Sequence, residues 1–200
     1  MLPVILIAGS FFMMKQEVDK ALQTLLEGGI ILYPTDTVWG IGCDATNVAA
    51  VKKIYALKQR SDTKSMIALL AEPKEVFKYV ARPHPDILHL LKQFEQPTTV
   101  IYPQAIGLAD NLVNQDGSIA MRVTKDPFCK VLLKRLKKPL VSTSANISGR
   151  PTPANYSSIS PAIIQGVDYV VQWRQEQNAN PSPSRIIRIL DSGEIEIIRP

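Results

Sequence analysis

The chain has 200 residues, of which 46% are hydrophobic and 20% charged, with 23 Lys and Arg against 18 Asp and Glu for a net charge of +5. That length suits one domain with a sizeable core, and the composition is ordinary for a soluble globular protein, which excludes disordered, fibrous and membrane-embedded classes. The two cysteines, Cys43 and Cys129, stand too far apart for a CxxC pair. They exclude a disulfide framework and a zinc cluster, and point to a reduced cytoplasmic compartment in which both are small buried apolar residues.

The opening Met1–Met14 is apolar, but no Lys or Arg precedes it and Pro3 and Gly9 interrupt it. It is too short to span a bilayer, so no export signal and no membrane anchor are expected. Residues 1–13 are expected to be an N-terminal extension that can lie upstream of the true start, with one domain over 14–200.

From Lys15 to Glu27 the residues Val18, Ala21, Leu22, Leu25 and Leu26 recur at helical spacing until Gly28-Gly29 stops the helix. Ile30–Tyr33 is a continuous apolar run and reads as a buried strand. The polar stretch Pro34-Thr-Asp-Thr-Val-Trp-Gly-Ile-Gly-Cys-Asp44 follows directly. Asn47 then caps a helix with Val48, Val51, Ile54 and Tyr55 on one face. Further strands are expected at Met66–Leu70, Thr98–Tyr102, Ser118–Val123, Leu140–Ser144, Tyr169–Trp173 and Arg185–Leu190. Helices are expected at Pro73–Val80 and Pro85–Phe94, and after a cap at Asp126 to about Leu136. Asp191-Ser-Gly193 is a hairpin turn into a last strand at Glu194–Arg199. Arg174–Ser184, rich in Gln, Asn, Pro and Ser, is the one segment expected to be mobile. The alternation gives an α/β class, and the short strands with a terminal hairpin give a twisted, open, mixed sheet with flanking helices.

The common catalytic motifs are missing: there is no GxxxxGK[ST] loop, GxGxxG, HExxH or GxSxG. The histidines, His84 and His89, fall on one predicted helix with no partner motif, which favours a solvent-facing role and no metal site. Polar clusters instead stand at strand ends, where α/β sheets bind ligands. Thr35, Asp36 and Thr37 follow the first strand and form either a capped turn or a small-ligand site. Lys58, Arg60 and Lys64 end a helix, where they either meet a polyanion or complement the helix dipole. Ser142, Thr143, Ser144, Asn146 and Ser148 end an apolar strand, and short hydroxyls with free backbone N–H groups suit phosphate oxygens. Arg122, inside a predicted strand, is costly unless paired or edge-exposed, and suits capture of a carboxylate.

In order, these pieces resemble the YrdC/Sua5 family of threonylcarbamoyl-AMP synthases in its short, single-domain form. The resemblance rests on Tyr33–Asp44, Leu57-Lys-Gln-Arg60 with Lys64, Ala120-Met-Arg-Val123, Pro139–Gly149 and the closing Ile197-Ile-Arg-Pro200, and spans about Met14 to Pro200. It implies a YrdC-like fold with a positively charged concave face, and a reaction joining L-threonine, bicarbonate and ATP with release of pyrophosphate. Matched position by position, it places Thr37, Arg122 and Ser184 at threonine, with Arg122 on the carboxylate. Lys58, Arg60 and Lys64 would take the ATP phosphates, Lys58 and Arg60 as catalytic residues. Ser118, Ser142, Ser144, Asn146, Thr152 and Arg199 would line the nucleotide site. Leu69 stands where longer members have a threonine-contacting His, Phe94-Glu-Gln-Pro97 replaces a Trp-Pro-Gly-Pro, and Ser61 follows Arg60 where Pro is usual. Mg2+ is expected to enter with ATP, and a tRNA-modifying transferase to use the product. Two rivals remain: a module that binds double-stranded RNA through its basic surface, and a paralogue acting on another amine.

Overall fold

The computed structural model describes residues 3–60, 66–177, 182–190 and 192–200, with side chains from Phe12 onward. Lys64, Ser61, the turn residue Asp191 and the middle of the Arg174–Ser184 stretch therefore lie outside the described residues.

Helix α1 runs from Pro3 to Leu26, twelve residues earlier than its amphipathic spacing predicts, and crosses Met13–Met14 without a break. Strands β1 (Ile31–Tyr33) and β2 (Gly40–Gly42) follow. Helix α2 (Val48–Lys58) is capped as expected, the Asn47 side chain accepting from the Ala50 N–H. Strand β3 spans Ile67–Leu70. The predicted helix over Pro73–Val80 is a 3-10 turn at Pro73–Glu75 joined to the short α3 (Val76–Tyr79). Helix α4 is Ile87–Gln93, so His84 stands before it, where its Nδ1 accepts from the Asp86 N–H. Strands β4 (Thr98–Tyr102) and β5 (Ile119–Val123) lead to α5 (Pro127–Leu136), capped by Asp126 accepting from the Cys129 N–H, and to β6 (Leu140–Ser144). A 3-10 turn at Tyr156–Ser158 and helix α6 (Pro161–Gly166) escape the periodicity reading because they are too short to show a period. Strand β7 keeps only Tyr169–Val170, and β8 (Arg185–Ile189) and β9 (Ile195–Arg199) form the closing hairpin.

Among the described residues the strands make one mixed nine-stranded sheet in the order β7-β1-β2-β6-β3-β5-β4-β8-β9. One face carries Tyr33, Leu69 and Leu140 against Val18, Ala21 and Leu25 of α1 and Phe128, Leu132 and Leu136 of α5. The other carries Leu32, Ala68, Leu70, Met121 and Ile187 against Val51, Ile54 and Tyr55 of α2. Residues 32 and 33, and 68 and 69, thus point to opposite faces, as the pleat requires. Burying both faces explains why β1 is a continuous apolar run. No described helix is long and apolar enough to cross a membrane.

Candidate functional site

The strand registers build the site. Leu69 is paired with Arg122, Ile67 with Ser142, and Gly40 with Ser144, so these residues share the sheet face that carries Tyr33 and Leu140. Arg199, on the edge strand β9 of the sheet, is paired with Ile186. That face is apolar and helix-covered under α1 and α5, and turns polar where the helices no longer cover it. Two glycines of β2 allow close packing against it. A Cβ on Gly42 would stand 2.6 Å from the Val141 carbonyl and 2.7 Å from the Tyr33 ring, and one on Gly40 would stand 3.3 Å from Ser142 Oγ.

The resulting cavity is about 310 Å³. Arg60, Arg122 and Arg199 line it together with the hydroxyls of Thr37, Ser142, Thr143, Ser144 and Thr152, and Ser184 closes one end. Guanidiniums from three distant stretches of chain therefore meet at one hydroxyl-lined shelf. Burial lowers the pKa of Arg60, and burial with the nearby Arg122 cation lowers that of Arg199. The Arg122 contribution at Arg199 reflects two cations set close together, an arrangement suited to anions.

Arg122 is almost wholly buried. Its Nη1 donates to Thr37 Oγ1 at 3.1 Å, and its Nη2 lies 3.1 Å from Asp36 Oδ1. The second approach is a charge contact without hydrogen-bond alignment: Asp36 Oδ1 and Arg122 Nε both lack a hydrogen-bond partner. The buried guanidinium therefore keeps donor capacity for a carboxylate. Asp36 is held by the Lys125 N–H on its other oxygen at 3.2 Å, and Thr37 by Thr35 Oγ1, 3.0 Å from its own hydroxyl. Thr35 and Asp36 thus orient Thr37 and Arg122. Their presence in the polar stretch after β1 was readable, but their roles follow only from Arg122 arriving on β5.

Lys58 lies outside the lining of that cavity. Helix α2 ends with Gln59 in the left-handed region at φ 50°, closing its last turn through Arg60 N–H to Tyr55 O at 3.0 Å. This turn sends Arg60 to the cavity and leaves Lys58 beneath the loop after β6. There Lys58 Nζ donates to the carbonyl of Ser144, to that of Asn146 at 2.6 Å and to Asn146 Oδ1 at 3.4 Å. Asn146 Oδ1 also accepts from Ser144 Oγ at 2.5 Å, and its Nδ2 donates to Arg150 O at 2.6 Å. Lys58 and Asn146 thus stand behind the shelf and shape it. Burial first, and then Arg60, pushes the Lys58 ammonium down to about 8.

Ser184 Oγ shares a 2.8 Å hydrogen bond with Thr99, and its carbonyl accepts from Arg199 Nη2 at 2.6 Å. Ser118 lies outside the cavity lining. It closes the turn before β5, its hydroxyl donating to Asp116 at 2.6 Å and accepting from Asn114 at 2.9 Å. Both cysteines are buried free thiols whose pKa burial raises, so neither serves as a nucleophile. Among the described residues, no group of three or more His, Cys, Asp or Glu gathers to hold a metal ion.

The family model Sua5_yciO_yrdC, described as telomere recombination, matches residues 23–200. A protein of Stutzerimonas stutzeri named threonylcarbamoyl-AMP synthase is 36% identical over 185 residues, covering 92% of this chain and 96% of its own. One of the same name from Pseudoalteromonas translucida is 34% identical over 168 residues, covering 82% and 90%. Among solved structures, E. coli YciO superposes with a TM-score of 0.76 at 22% identity, covering 91% of this chain and 87% of that one. The P. abyssi Sua5 complexed with L-threonine superposes with a TM-score of 0.80 at 22% identity over 92% of this chain. This chain spans about half of that Sua5, 53% of its length.

Proposed function

The chain belongs to the Sua5/YciO/YrdC family, and on that premise we propose that it is an L-threonylcarbamoyladenylate synthase, a nucleotidyltransferase that makes threonylcarbamoyl-AMP and pyrophosphate from L-threonine, bicarbonate and ATP. One observation carries this reading: Arg60, Arg122 and Arg199 converge on a cavity whose other wall is a row of hydroxyls. Three small and mostly anionic reactants need such a place, where positive charge and short donors are arranged before they bind.

In this reading Arg122 and Thr37 hold the threonine carboxylate and Ser184 the far end of the amino acid. The threonine amine adds to carbon dioxide drawn from bicarbonate, giving a carbamate and releasing a proton. A carbamate oxygen then forms a bond to the α-phosphorus of ATP while the bond from that phosphorus to the pyrophosphate oxygen breaks. Arg60, with Lys64, neutralises charge on the phosphates, and Ser142, Ser144, Thr152 and Arg199 orient the nucleotide. Lys58 and Asn146 act by holding the shelf in shape, and Ser118 by fixing the turn before β5. Mg2+ would enter with the ATP substrate and would supply charge neutralisation at the phosphates, alongside Arg60 and Lys64. No protein nucleophile is needed, and positioning with charge stabilisation suffices for this class of transfer. The product then passes to a tRNA-modifying transferase, and the buried reduced thiols support a cytoplasmic setting.

The test is a pyrophosphate-release assay with ATP, bicarbonate and each amino acid in turn. Release that requires bicarbonate and is fastest with threonine is the expected result. Equal release with another amine would make the protein a paralogue. Salt-sensitive RNA binding without ATP turnover would replace the reading with an RNA-binding module.

A further inference from the structure

Away from the cavity floor, the strongest unexplained feature is a lysine-rich pair of clefts between the Pro73–Glu75 turn, α3, α4 and α5. The larger, about 650 Å³, is rimmed by Lys74, Lys78, Lys92, Lys134 and Lys137. A second of about 180 Å³ adjoins it through Pro73 and Lys92 and adds Lys125 and Lys130. The few carboxylates there are already engaged. Glu75 Oε2 accepts from the Ala71 N–H at 2.8 Å, and Glu72 pairs with Lys134 at 2.8 Å. A hydrogen bond from Lys134, together with the charges of Lys130, Lys134 and Lys74, lowers the Glu72 pKa. Among the described residues no carboxylate lies within ion-pair reach of Lys74, Lys78, Lys92 or Lys137.

Apolar side chains lie beneath the lysines: Leu91, Phe94 and Val123 in the smaller cleft, with Leu88 in the larger, are half-buried and packed against the core. The clefts also lead to the active cavity. The smaller shares Gln96 and Pro97 with a cleft of about 520 Å³ that carries Arg174 and Arg185, and that cleft shares Thr37 and Pro183 with the cavity itself.

We propose that this lysine-rimmed, apolar-floored track is the docking surface for an acidic, partly apolar segment of the protein that consumes the product. The proposal rests on the synthase reading above. The product of that reaction is a mixed anhydride of a carbamic acid and a phosphate. Water competes for its carbonyl, so the reaction that must follow is carbamoyl transfer to an amine, and a consumer held beside the cavity limits loss to hydrolysis. The apolar floor decides between partners. A phosphate backbone uses only the lysine rim, whereas an amphipathic polypeptide satisfies rim and floor together, the usual anatomy of a protein interface.

The test uses the full chain, its fluorescently labelled tRNA-modifying transferase from the same organism, and tRNA alone. Two triple variants, Lys74→Glu/Lys78→Glu/Lys92→Glu and the same positions changed to Gln, alter only exposed side chains. Expected are pyrophosphate release within about twofold of wild type, transferase affinity weakened by about tenfold or more at low salt with the Glu set, a smaller loss with the Gln set, and a parallel fall in transfer to tRNA. Unchanged transferase affinity overturns the proposal. So does loss of affinity for tRNA alone with transferase binding intact, which would make the track a nucleic-acid surface. A wild-type chain that binds the transferase at this track but releases no threonine-dependent pyrophosphate would fault the synthase reading and leave the docking surface standing.

Discussion

Replacing Arg122 by Gln tests the amino-acid end of the cavity most directly. Arg122 is almost wholly buried, anchored by one hydrogen bond to Thr37 and one charge contact to Asp36, with Nε unengaged. In the proposed role, threonine's carboxylate takes the remaining donor capacity. A hydrogen bond to a charged group contributes about 1.5–3 kcal/mol, and tenfold in affinity corresponds to about 1.4 kcal/mol, so threonine binding should weaken by about 10- to 150-fold. Binding of ATP should change by less than about threefold, because Arg60 and the hydroxyl shelf are untouched. Stability should fall by about 1–3 kcal/mol, since Asp36 loses its cation but keeps the Lys125 N–H. Equilibrium titration with threonine and with ATP separates these effects, and initial-rate kinetics gives the matching rise in threonine KM with little change in ATP KM. Arg122→Lys keeps the charge without the planar fork and should recover only part of the affinity. A folded Arg122→Gln protein with threonine affinity within twofold of wild type would refute the reasoning.

Two further outcomes follow from the same geometry. Because the Lys58 value is depressed to about 8, the native state binds fewer protons than the unfolded state from there up to the ordinary lysine range. Stability should therefore rise with pH across that window relative to Lys58→Met, with the burden of the buried ammonium fully present below pH 8; urea titrations of both proteins at pH 7.5 and 9.5 check this, and parallel pH profiles would dismiss it. Gly42→Ala forces a Cβ against the Val141 carbonyl and the Tyr33 ring. It should cost about 1–3 kcal/mol by urea denaturation, and a neutral substitution would show that β2 does not need this close approach.

Much of this architecture was legible in the residues. Strands β4 and β6 span the residues expected of them, and the caps at Asn47 and Asp126 mark the starts of α2 and α5, because a side chain that satisfies a helix N–H is a local event. Strand β2 was not legible: a Gly-Ile-Gly segment has little strand preference, and it becomes a strand through its partners Tyr33 and Ser144. Helices too short for a period, such as α6, were hidden for a related reason.

The order of polar clusters along the chain, and the family it resembles, were determined by sequence alone. Which of those residues face one another was decided only by the tertiary structure. Nothing local in Leu57-Lys-Gln-Arg60 says that a left-handed Gln59 turns the chain so that Arg60 lines the cavity while Lys58 grips the loop behind it. Likewise Arg122 could have been an exposed strand residue until the pairing of β3 with β5 set it on the face occupied by Ser142, opposite Thr37. Spacing records periodicity within one element, but strand register and helix-end geometry fix which side of the sheet a distant charge reaches.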